Sequence, residues 1–143
     1  MTTLKELYDI AEQDEIPVID LHIHNIDVGA MSVCDDEGDC IIALDVRKIA
    51  GFSDHKVKLA HELGHCKRGT FYNQYSDYDV RSRHEYRADK WAVQKIAPYD
   101  ELICACRQGY TEVWQLADYF GVTENFISRA FEIYRNMGYG FEE

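Results

Sequence analysis

Ser53-Asp54-His55-Lys56-Val57-Lys58-Leu59-Ala60-His61-Glu62-Leu63-Gly64-His65 decides how this chain reads. Its spacing predicts a helix capped by Ser53 or Asp54, running through His65 and ending near Gly69. At about 100° per residue, His61 and His65 fall on one face, one turn apart, so two imidazoles can converge on one tetrahedral ion. Glu62 stands beside them, placed to take a proton from water at that ion without ligating it. Gly64 lets a neighbouring element approach closely. Taken alone, the segment also fits a surface helix that contains two histidines and a glutamate.

A catalytic zinc needs a third protein ligand and an open position. A second helix, predicted over 81–97 and halted by Pro98, offers one. Glu85, Ala88, Ala92 and Ile96 share a face, which turns Glu85 inward among small apolar neighbours. An inward carboxylate is costly unless paired or ligating. Asp89, one turn further on, can accept the free N–H of a liganding imidazole. Among Arg81, Arg83, Arg87 and Lys90 the two carboxylates could also be a half-exposed couple. Their place after the HExxH favours ligand and orienting partner.

His61-Glu62-Leu63-Gly64-His65 followed by Glu85-x-x-Ala88-Asp89-x-Trp91-Ala92 resembles the ImmA/IrrE family of metallopeptidases. The likeness continues through Leu116-Ala117-x-x-Phe120-x-Val122-Thr123 to Arg129 and covers roughly residues 50–135. Asp89 stands where many members carry Asn. The resemblance implies one zinc per chain, held by His61, His65 and Glu85 as in thermolysin-like enzymes. It implies an endopeptidase of bacteria, prophages or mobile elements, whose usual substrate is a helix-turn-helix repressor.

The residues agree with that chemistry. Zinc on two imidazoles and one carboxylate keeps a positive charge, acidifies a water and polarises the scissile carbonyl. Glu62 takes the proton and passes it to the departing amine. The developing oxyanion needs a further donor. Tyr72, Tyr75, Tyr78 and His84, lying between the two metal-bearing stretches, are the candidates, although a tyrosine-rich loop can equally be packing.

Outward from this centre, residues 3–14 have helical periodicity, and residues 18–23 form a β-branched run after Pro17 that reads as a strand. Two short apolar runs, 29–34 and 40–44, flank Asp35-Asp36-Glu37-Gly38-Asp39 and read as a hairpin. Further helices fit 99–107, 111–120 and 123–137, broken at Gly109 and Gly121. Strands followed by helices give an α+β class: a small antiparallel or mixed N-terminal sheet, zincin-like helices, and helix-turn-helix-like C-terminal helices. The 143 residues suit one metallopeptidase domain, divided into 1–50, 51–97 and 98–143.

The net charge is −11 and unevenly spread. Residues 1–50 carry −9, residues 51–97 carry +3, and residues 98–143 carry −5. Such acidity argues against nucleic-acid backbones and anionic membranes as partners. The helix-turn-helix-like segment, with only Arg129 and Arg135 against four carboxylates, points away from DNA and toward holding a substrate. Acidic flanks suit a basic, DNA-binding repressor as substrate.

No export signal and no long apolar run occurs, so a cytoplasmic location with reduced thiols is expected for the five cysteines. Cys34 and Cys40 flank the hairpin loop and read as packing residues, as do Cys104 and Cys106, whose i, i+2 spacing on a helix suits no shared ion. Cys66 shows no sign of being a nucleophile. His22 and His24 share a strand face without an identifiable third ligand. The competing functions are a non-catalytic regulator binding a repressor, or a component of a toxin module binding its antitoxin. Glu62 favours the enzyme, because a pure binder has no use for it.

Overall fold

The structure is a computed structural model describing residues 1–24, 27–68 and 78–141. Helix α1 (Leu4–Gln13) starts where Thr3 Oγ1 accepts the Glu6 N–H at 3.2 Å. Strands β1 (Val18–Asp20), β2 (Ala30–Cys34) and β3 (Cys40–Leu44) follow. They form a mixed sheet in the order β1-β3-β2, with β1 parallel and β2 antiparallel to β3. The hairpin expected around 35–39 is the β2–β3 pair, in which Cys34 faces Cys40 and Ala30 faces Leu44.

Helices α2 (Phe52–Arg68) and α3 (Tyr78–Ile96) carry the motif residues. Helix α2 begins earlier than Ser53 or Asp54, so neither residue is its cap. The Asp54 carboxylate instead accepts the Ala50 N–H at 2.9 Å and pairs with Lys58 at 2.5 Å, which holds its pKa below the usual range despite burial. Helices α4 (Tyr99–Arg107), α5 (Val113–Phe120) and α6 (Glu124–Asn136) complete the α+β architecture. Gly121, at φ 67°, ends α5, and Thr123 Oγ1 accepts the Phe126 N–H to open α6.

One apolar cluster joins all these layers. Leu7 of α1, Ile42 of β3, Leu59 and Leu63 of α2, Ile96 of α3 and Ile127 of α6 are all without exposure. The buried Lys56 of α2 donates to the Phe120 carbonyl, tying the HExxH helix to the end of α5.

A close approach of two helices sits beside the motif. A Cβ on Gly64 would stand 2.5 Å from the Ala88 carbonyl oxygen and 3.0 Å from its Cα. Both obstacles are backbone, so any side chain at 64 would drive α2 and α3 apart. The expectation of a close neighbour at Gly64 therefore has a concrete basis. Glycine on α2 facing Ala88 on α3 sets the distance at which Glu85, one turn before Ala88, meets His61 and His65.

Candidate metal centre

His61 and His65 leave α2 on the same side, with their rings 4.8 Å apart and nearly perpendicular. Glu85 reaches them from α3: its Oε2 lies 2.7 Å from His61 Nε2, and its Oε1 lies 3.2 Å from His65 Nε2. The two Nε2 atoms are 3.2 Å apart. Among the described residues these three form the group of His, Cys, Asp and Glu able to hold one metal ion. Tetrahedral coordination with bonds of about 2.0–2.1 Å would space the donors about 3.3–3.4 Å apart. The observed separations of 2.7 Å and 3.2 Å need to widen by about 0.1 to 0.7 Å, within reach of side-chain adjustment, so the residues fit a metal. Two imidazoles with one carboxylate form a borderline donor set of the kind zinc accepts.

The second nitrogen of His61 is also held. Nδ1 lies 2.7 Å from Asp89 Oδ1, which leaves Nε2 free to ligate when Nδ1 carries the proton. Burial opposes charge on this ring, but hydrogen bonds to the Asp89 and Glu85 carboxylates prevail and raise its pKa to about 10. The pocket is thus built to receive a positive charge, whether proton or metal.

Asp89 is fixed in turn by Arg129 on α6, whose Nε donates to Oδ2 at 3.1 Å. The same guanidinium lies over the Tyr86 ring, 5.3 Å from its centroid, and pairs with Glu132 at 3.0 Å. Arg129 marked the end of the family likeness in the sequence, but its link to Asp89 spans forty residues and left no periodic signal. Asp89→Asn keeps an acceptor for His61, whereas Arg129→Met removes the brace on Asp89. We expect Arg129→Met to weaken metal affinity by about 10- to 100-fold and Asp89→Ala by at least as much, read by competition with a chelating dye.

Glu62 points into the same space from the adjacent position on α2. It is 8% exposed, and Ser32 Oγ of β2 donates to its Oε1 at 2.8 Å. A groove of about 580 Å³ opens over the cluster. Ala30, Met31 and Ser32 of β2 form one part of its lining, and His61, Glu62, His65 and Glu85 another. Val57 and Lys58 of α2 line it too. Sequence reasoning missed Ser32 and Lys58. Lys58 was visible one turn before His61, but Ser32 enters only through the pairing of β2 with β3.

Among the described residues, none of the other candidates joins this centre. Tyr72 and Tyr75 lie outside the described residues, as does the side chain of Tyr78. His84 precedes Glu85 on α3 but is not part of the groove lining. His22 and His24 meet edge to face with ring centroids 4.5 Å apart, and no third ligand joins them among the described residues. The Cys34–Cys40 hydrogen bond, with burial, raises the Cys34 thiol to about 11, and burial raises Cys66 to about 11. Both are poor nucleophiles at neutral pH. Cys104 is exposed, contrary to the packing expectation, because Ala105 takes the buried position on α4.

Paired histidines and a glutamate on two crossing helices, with a second carboxylate at the groove floor, define a metallopeptidase-like site. The family model Peptidase_M78, the IrrE N-terminal-like domain, matches residues 42–132. The match spans more than half of the chain and contains every residue of this centre except Ser32, so the chain belongs to that family, the ImmA/IrrE peptidases. Comparison with curated proteins and with solved structures gave no match. Among the described residues no helix is long and apolar enough to cross a membrane.

Proposed function

We propose that this chain is a zinc-dependent endopeptidase that cleaves a basic helix-turn-helix repressor, or another regulatory protein, of a phage or mobile element in the cytoplasm. The observation that carries the reading is Glu62: a buried carboxylate, oriented by Ser32, beside three convergent metal donors. A domain that only binds a partner gains nothing from keeping that charge out of water.

His61, His65 and Glu85 would hold the metal, with Asp89 fixing the His61 tautomer. The metal, when bound, supplies Lewis acidity for water and for the scissile carbonyl. The chain's own residues do the rest. Strand β2 is an edge of the sheet, so its outer backbone groups are placed to pair with an extended peptide laid along the groove. Such pairing presents a peptide bond to Glu62, which accepts the proton of the attacking water and returns it to the leaving nitrogen. Ser32 restricts the carboxylate to one orientation throughout.

The test is metal removal. Dialysis against a chelator should abolish cleavage of a basic helix-turn-helix protein encoded beside this chain, and one equivalent of zinc should restore a single cut. Binding of that protein at full zinc occupancy without any cut would identify a regulator instead.

A further inference from the structure

The outer face of the sheet carries a row of partly exposed apolar side chains. By strand alternation, Ile19 and Leu21, Met31 and Val33, and Ile41 project away from α2, and they are between 39% (Met31) and 57% (Val33) exposed. The register makes them one surface: Ile19 and Met31 flank Ala43, itself only 6% exposed, in one cross-strand row, and Val33 faces Ile41 in the next. The inner face, with Ile42 at 0% and Leu44 at 3%, already fills the core. A sheet with one face on its core normally turns polar side chains to water. A contiguous apolar exposed face marks a contact surface.

Two features say what covers it. Beyond the Val33–Ile41 pair, past the Cys34–Cys40 pair, comes the hairpin tip, where Asp35, Asp36, Glu37 and Asp39 are all exposed. A partner of complementary chemistry has an apolar centre and a basic rim. A second copy of a chain with net charge −11 brings the wrong sign. Met31, moreover, belongs both to this face and to the lining of the metal-centre groove. Whatever rests on the face lies alongside the strand that borders the groove.

We propose that the outer face of the sheet is a docking surface for the protein substrate, engaging an apolar patch rimmed by lysine or arginine at a distance from the bond that is cut. This rests on the peptidase reading, whose substrate it characterises: a folded basic protein gripped outside the groove, in addition to the extended segment held inside it.

The test uses the full zinc-loaded chain and two probes. One is a mixed-sequence library of quenched fluorescent octapeptides. The other is the same library tethered through a flexible linker to a peptide alternating lysine with valine and isoleucine. The tethered library should be cleaved with about tenfold higher kcat/KM. Val33→Ser with Ile41→Ser should erase that advantage while leaving octapeptide cleavage and the thermal midpoint unchanged. Asp36→Asn with Glu37→Gln should reduce the advantage and flatten its salt dependence. An advantage that survives Val33→Ser with Ile41→Ser would overturn the proposal, and so would its absence in the parent chain. A dimer in sedimentation that these substitutions dissolve would assign the face to a second copy and overturn it too. Should neither library be cut, anisotropy of the labelled alternating peptide still decides: binding lost in Val33→Ser with Ile41→Ser keeps the docking face and sinks the peptidase reading, whereas unaltered or absent binding sinks the docking face.

Discussion

Replacing Glu62 by Gln is expected to lower kcat/KM by about 10²- to 10⁴-fold while leaving one zinc per chain. Glutamine keeps the size of the side chain, and its carbonyl oxygen can still accept the Ser32 hydroxyl that now bonds Glu62 Oε1. What it lacks is basicity, because an amide cannot take a proton from water at neutral pH. The metal should stay, because Glu62 is not one of the three converging donors. Stability should hold or rise: a nearly buried carboxylate becomes a neutral group whose desolvation costs less. Zinc content by elemental analysis, the thermal midpoint and hydrolysis rates give three separate readings. A Glu62→Gln chain that cleaves at the parent rate would remove Glu62 from proton transfer.

Most of this centre was legible because its spacing is helical. Two histidines four residues apart, a glutamate between them, and a carboxylate pair on a helix twenty residues on are statements about the 3.6-residue period, and α2 and α3 obey it. The same holds for the strands, whose apolar runs end at Pro17, at the acidic turn and at Asp45. What periodicity could not supply was proximity across the chain. Ser32 reaches Glu62 over thirty residues and Arg129 reaches Asp89 over forty, each through the stacking of separate elements. Gly64 was readable as a place of close approach, but its neighbour Ala88 was not. Strand alternation likewise leaves the two sheet faces alike in sequence: Ile19, Met31 and Ile41 are as apolar as Ile42 and Leu44, and only the burial of the latter tells the faces apart. The acidity of residues 1–50 gains a location in the same way, since four of its carboxylates gather at the hairpin tip beside Val33 and Ile41.

Removing a donor should do the opposite of removing the base. Glu85→Ala takes away the carboxylate that, among the described residues, touches both imidazoles, whose Nε2 atoms stand 3.2 Å apart. Two neutral imidazoles hold zinc far less firmly than the full set, and the pull of Asp89 on His61 cannot replace the missing ligand. Metal bound only by the folded chain stabilises it by RT ln(1 + [L]/Kd), about 2.7 kcal/mol when zinc stands at a hundred times its Kd. For a chain of this size that corresponds to a rise of about 5–10 °C in the thermal midpoint. The parent chain and Glu62→Gln should both show that rise on adding zinc, and Glu85→Ala and His61→Ala should show none at the same concentration. The two variants separate the roles, because Glu62→Gln loses the reaction and keeps the shift, whereas Glu85→Ala loses both. A full zinc shift in Glu85→Ala, with none in Glu62→Gln, would exchange the two carboxylates between ligand and base.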